Sequence, residues 1–186
     1  MAEEMLDKIL IKLNNLRNQG VSKWGGIDFR NAEENYKLGD QEYLNSNYIS
    51  ALNYYREAFT NIDKLSKTVD EQLSINLKSA EKAFKENNFN DAIYFFDIVV
   101  SIKPDNPEYQ SFYDRALVLE DVLDLYTTAI KKNNQKEFED ARELILRSLV
   151  LDPEYDPSIN LLSEIERNIL RRNFESRMTE GFIALS

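Results

Sequence analysis

The chain has 186 residues, 42% of them apolar and 30% charged, a net charge of −10, and neither cysteine nor histidine. That is enough apolar material for a real core, but disulfides, thiolate metal sites, thiol nucleophiles, imidazole bases and the Ser-His-Asp triad are all excluded. The acidic balance argues against non-specific nucleic-acid binding and against docking on an anionic membrane, while five glycines and four prolines are too few for a turn-rich β fold.

In chain order, residues 3–18 predict an amphipathic helix with Leu6, Ile9, Leu10, Leu13 and Leu16 on one stripe. No basic segment followed by an apolar one opens the chain, and no stretch reaches the roughly 18 apolar residues of a membrane span. A cytoplasmic location without membrane insertion is therefore expected. Residues 20–26 form a loop with the single tryptophan, Trp24. Helices over 28–45 and 48–66 make a first hairpin. Thr68-Val-Asp-Glu71 has the form of a capping box and opens the next helix, to about Glu86. Asn87 and Asn88 turn the chain, and 90–102 return.

Asn106-Pro107-Glu108 places a cap, then proline at the first helical position, then a carboxylate in the first turn. A long helix follows to about Asn133, with Phe112, Ala116, Leu119, Leu123, Tyr126 and Ile130 at intervals of three or four. Asn133 and Asn134 turn the chain and 136–150 return. Asp156-Pro157-Ser158 repeats the capping device before a last helix that carries Leu161, Leu162, Ile165, Ile169, Phe174, Met178 and Phe182.

Three segments repeat one pattern: Tyr48, Ala51, Tyr55, Ala58; Phe89, Ala92, Phe96, Val99; and Phe138, Ala141, Ile145, Ser148. Alanine lets two helix backbones approach, and the large residue four positions on fills the groove beside it. Pro104 and Pro153 stop the second and third copies. A small residue precedes each alanine by 12 positions, namely Gly39, Ala80 and Ala129, so that small residue should face small residue in a helical hairpin. Gly181 stands where a fourth such residue would be.

With Leu38-Gly39, Tyr48, Ala51, Tyr55 and Ala58 at these offsets, the pattern resembles the tetratricopeptide repeat. It departs from that family in three ways. The usual first-helix tryptophan is Asn35, Asn76 and Leu125; Asp63 replaces the first terminal proline; and successive units lie 41, 49 and 52 residues apart rather than at the family's fixed period. The resemblance implies an all-α solenoid of helical hairpins in a right-handed superhelix, with about eight helices. Its expected parts are an N-terminal capping helix and loop (1–27), three hairpins (28–156), and a long helix that begins a fourth repeat (157–186).

The resemblance also implies a concave groove on the first-helix faces that holds protein partners. By family offsets its lining would be Tyr36, Asp40 and Tyr43; Leu77, Glu81 and Phe84; and Tyr126, Ile130 and Asn133. The opposing expectation is that these aromatics pack on the next hairpin. Asp40 would repel a C-terminal carboxylate, so the acidic tails taken by chaperone-binding members are set aside in favour of basic or apolar peptides.

The remaining candidates carry structural expectations. Arg167, Arg171, Arg172 and Arg177 interleave with Glu164, Glu166, Glu175 and Glu180 as a solvated face with i,i+4 pairs. Asp152-Pro-Glu-Tyr-Asp156 lacks the central glycine of an EF-hand loop and reads as a helix stop and restart. No nucleotide-binding or nucleophile motif is present, so no catalytic residue, metal or cofactor is expected. The function expected is a protein-interaction scaffold and not an enzyme. By fold-level analogy it would serve a bacterial envelope, secretion or motility assembly, and abundant Asn, Ile and Lys fit an AT-rich bacterial genome. The alternatives are a self-associating module, a homodimer through the open C-terminal end, and the recognition segment of a larger protein.

Overall fold

The computed structural model describes residues 2–185. Among them all regular structure is helical, in eight helices: α1 (Ala2–Asn18), α2 (Val21–Trp24), α3 (Gly26–Leu44), α4 (Tyr48–Lys85), α5 (Phe89–Ile102), α6 (Pro107–Asn134), α7 (Phe138–Leu151) and α8 (Asp156–Leu185). None of them is long and apolar enough to cross a membrane. The chain divides into two compact units, one up to Tyr113 and one from Asp114 onward, with the boundary inside α6.

In the first unit α3 packs on α4, α4 on α5, and α1 on α4. The α1 stripe is why: Ile9, Leu13 and Leu16 are buried with Ala58, Ile62 and Leu65 of α4 in one apolar cluster. Each such side chain contributes roughly 1.5–3 kcal/mol on leaving water. An ion pair between Lys12 and Asp63 (2.8 Å) fringes that contact, and one between Arg17 and Glu33 (2.9 Å) ties α1 to α3.

The segment read as a loop around Trp24 contains the one-turn helix α2, and the Trp24 indole N–H donates to the Gln19 carbonyl at 2.8 Å. Gly20 makes this connection. It has φ +63°, and a Cβ there would lie 2.4 Å from Cβ of Ser101 on α5. Only glycine allows both the left-handed backbone and that approach.

The largest departure from expectation is α4. A break was predicted near Thr68, yet one helix of 38 residues serves both as the return helix of the first hairpin and as the opening helix of the second. No glycine or proline occurs between Tyr48 and Lys85 to interrupt it. The Thr68 hydroxyl does not cap; it donates back to the Leu65 carbonyl at 3.0 Å inside the helix. Asp63, where a terminal proline was expected, instead accepts from Lys12 and Lys67.

Two other boundaries follow their signals and two are displaced. Asn87 takes φ +58°, and the Asn88 side chain accepts from the Asp91 amide. Asn106 Oδ1 accepts from the Glu108 and Tyr109 amides at 2.9 and 3.2 Å, the capping geometry that Pro107 implied. The turn expected at Asn133-Asn134 falls later, because α6 continues through Asn134 and Lys136 takes φ +63°. Asp156 lies inside the first turn of α8 rather than ahead of it. The Ser158 and Ile159 amides bond to the Tyr155 carbonyl.

In the second unit α7 packs on α8. Ala129 of α6, Ala141 and Ile145 of α7, and Leu161 and Ile165 of α8 share one buried cluster. A buried hydroxyl pair, Ser148 and Ser158 at 2.8 Å, ties α7 to α8. Asp152, whose side chain is 1% exposed, is held by the Arg115 guanidinium at 3.0 Å, and Arg115 also reaches Glu154. The Asp-Pro segment is thus a helix stop with its carboxylate paired inside the fold.

The arginine face on α8 also differs from expectation. Arg172 makes a fork to Glu139 of α7 and lies over the Phe138 ring at 5.5 Å. Glu166 pairs with Arg142 of α7 and Glu164 with Asn133 of α6. These contacts cross between helices instead of running i,i+4, while all four arginines stay exposed as expected.

Candidate functional site

The nine residues expected in a groove meet three different local fates. On α3, Asp40 accepts a hydrogen bond from the Tyr55 hydroxyl of α4 at 2.7 Å. The Tyr36 and Tyr55 rings lie 6.4 Å apart, and Tyr43 stands edge-on to Tyr48 at 5.3 Å. Burial, then hydrogen bonding to the Asp40 carboxylate, raises the pKa of both the Tyr36 and Tyr55 phenols. All three residues therefore face the return helix of their own hairpin.

Gly39 explains the closeness there. A Cβ at this position would stand 2.5 Å from Cε1 of Tyr55, so the glycine receives an aromatic ring, where alanine had been expected opposite it. On the second half of α4, Leu77 and Phe84 are half-buried and Glu81 is exposed in a shallow depression beside Lys78, Lys82 and Lys85.

Tyr126, Ile130 and Asn133 do come together. They line one cleft of about 700 Å³ whose other wall is α8, with Pro157, Asn160, Leu161, Ser163, Glu164 and Arg167. Each part is positioned by local structure. The Tyr126 ring is set edge-on against buried Tyr155 at 5.9 Å. Asn133 is buried in the cleft wall, where its amide nitrogen donates to Glu164 Oε1 at 2.8 Å and its oxygen accepts from the Asn168 amide at 3.1 Å. These two bonds fix the orientation of the asparagine and hold α6 beside α8.

The cleft has an apolar floor of Tyr126, Ile130 and Leu161 and a polar rim. Among the described residues no cation is paired with Glu164, and Arg167 makes only a 3.2 Å bond to the Ser163 carbonyl. Such a lining offers apolar surface for a side chain, amides for a peptide backbone, and a carboxylate for a basic group. No cluster of three or more potential metal ligands occurs among the described residues.

No family model matches the chain, and no curated protein or solved structure is significantly similar to it. The site is accordingly read from its own geometry. The offsets picked out one wall of the cleft and missed the other. Asn160, Ser163, Glu164 and Arg167 recur at three- or four-residue steps from Pro157, which starts α8. A helix just after a return helix lies beside the previous first helix in any stack of hairpins, and that rule could have found them. Arg115 and Asp152, 37 positions apart, carried no sequence signal.

Proposed function

We propose that this protein is a protein-interaction scaffold built from tetratricopeptide-like hairpins, with the cleft between the end of α6 and the start of α8 as a peptide-binding site. The observation that carries this reading is the convergence of Tyr126, Ile130 and Asn133 on one concave surface whose polar members are already oriented. A preformed site binds without first ordering its own side chains, which lowers the entropic cost of association. The partner favoured is an extended peptide with an apolar side chain over Tyr126 and Leu161 and a basic one near Glu164. The hairpin packing and the Ala-and-aromatic register support the repeat-solenoid architecture, in which such clefts recur along one face.

A photo-crosslinking amino acid at Asn160, exposed on the cleft wall, tests this in cells expressing the protein. Crosslinked partner peptides should form there and not from Glu143, exposed on α7. They should vanish in Tyr126→Ala/Ile130→Ser. Equal crosslinking at both positions would remove the cleft from consideration.

A further inference from the structure

The second half of α8 carries an apolar face with no partner among the described residues. Leu170, Phe174, Met178 and Phe182 recur every four residues and are 69%, 65%, 44% and 67% exposed. At about 100° per residue this stripe lies on roughly the opposite side of α8 from Leu161, Ile165 and Ile169, which pack against α7. Together the four side chains present on the order of 500 Å² of bare surface, close to one side of a small specific interface and more than an isolated exposed residue explains.

Other helices of the same chain show what such a face receives. Taking Gly39, Ala80, Ala129 and Gly181 as equivalent, the residues seven positions earlier are Ala32, Leu73, Val122 and Phe174. Ala32 and Val122 are buried and Leu73 is half-buried, while Phe174 is bare. Gly39 receives the Tyr55 ring of its return helix, while a Cβ at Gly181 would meet nothing within 4 Å. The face on α8 is thus the seat of a return helix that the described residues do not supply.

We propose that this face binds an amphipathic helix of another polypeptide, one that presents an alanine and, four residues on, an aromatic side chain to Gly181. A second copy of this chain is a poor occupant. Its helices of that kind, at Ala51/Tyr55 and Ala92/Phe96, are already buried, which leaves only another α8 that sets glycine against glycine. Charge narrows the partner further. Among the described residues neither Arg171 nor Arg177 is paired with a carboxylate, and they border the stripe on its two sides. The occupant is therefore an Ala-x-x-x-aromatic helix with acidic flanks. This seat is separate from the α6–α8 cleft and does not depend on it.

The test uses the full chain and a fluorescein-labelled peptide of residues 47–64 in an anisotropy titration. Saturable binding is expected, weakened about tenfold or more by Gly181→Arg or Phe174→Asp in the protein and by Ala51→Arg in the peptide. Both protein positions are exposed, so the helical circular dichroism should not change. The seat at Gly39 is held by tethered α4 at high effective concentration and is not open to the peptide. Absence of binding, or binding indifferent to Gly181→Arg, overturns the proposal. So does a dimer seen by sedimentation and lost in Phe174→Asp, which makes a second copy the occupant. Pelleting with phosphatidylserine vesicles, lost in the same variant, makes it a lipid surface and overturns the proposal as well.

Discussion

The α3 set, Tyr36, Asp40 and Tyr43, and the α6 set, Tyr126, Ile130 and Asn133, stand at like positions in two hairpins and end differently. In the first unit the return helix brings Tyr55, whose hydroxyl reaches Asp40. In the second unit the residues at those two positions are Ile130 and Ile145, which share an apolar cluster and leave no polar group to satisfy. The α6 set is then completed by α8 through Asn133, Glu164 and Asn168. One backbone register therefore yields a closed polar lock in one hairpin and one wall of an open cleft in the other.

What the two hairpins share should break first. Ala51 and Ala141 are both fully buried where the return helix lies on its neighbour. Ala51→Arg and Ala141→Arg each force a long charged chain into a close contact, and each should cost about 3–5 kcal/mol. Thermal denaturation followed by circular dichroism measures this. An unchanged midpoint in either variant would mean that the register equating the hairpins is wrong.

The burial of Ala51, Ala92 and Ala141 was legible in the sequence because alanine in an apolar stripe reports the close approach of two helices, whereas the Tyr55 ring opposite Gly39 was not. The cap at Asn106 was legible for a similar reason, since its side chain bonds backbone amides within three residues. The continuity of α4 was not. Thr68-Val-Asp-Glu71 has the composition of a cap, but composition cannot say whether a threonine hydroxyl turns forward to an amide or back to the Leu65 carbonyl. The absence of glycine and proline from residues 48–85 was the better signal. Half of the cleft was hidden because its second wall comes from the next helix in the chain.

The second unit carries a lock of its own, and the next effect in size should come from it. Asp152 is buried, and Arg115 is the only cation paired with it among the described residues. Arg115→Met leaves a buried carboxylate without its counter-charge and should cost about 3 kcal/mol. Asp152→Asn keeps the shape and the acceptor, and should cost less. Chemical denaturation of both variants gives the difference. A larger loss in Asp152→Asn would show that the carboxylate serves something other than the Arg115 pair.

The smallest effect separates the two hairpins most cleanly. Tyr55→Phe removes the bond to Asp40 and should cost about 1.5 kcal/mol, the range for a hydrogen bond to a charged group. It should also change the alkaline limb of the stability curve. The Tyr55 pKa in the fold lies above its ordinary value of 10.0, pushed up first by burial and then by Asp40. As pH rises past 10 the unfolded chain releases that proton while the folded chain keeps it, so stability falls with pH. Tyr55→Phe should flatten this fall, leaving the part that belongs to the other raised phenols, Tyr36 and Tyr155. Asn133→Ala in the second unit should cost a similar amount, about 1 kcal/mol for its lost hydrogen bonds, yet leave the alkaline slope as it was. It should weaken peptide binding in the cleft, which Tyr55→Phe should not touch. If Tyr55→Phe altered cleft binding or Asn133→Ala altered the alkaline slope, the lock and the cleft would be energetically one system, and the contrast between the two hairpins would fail.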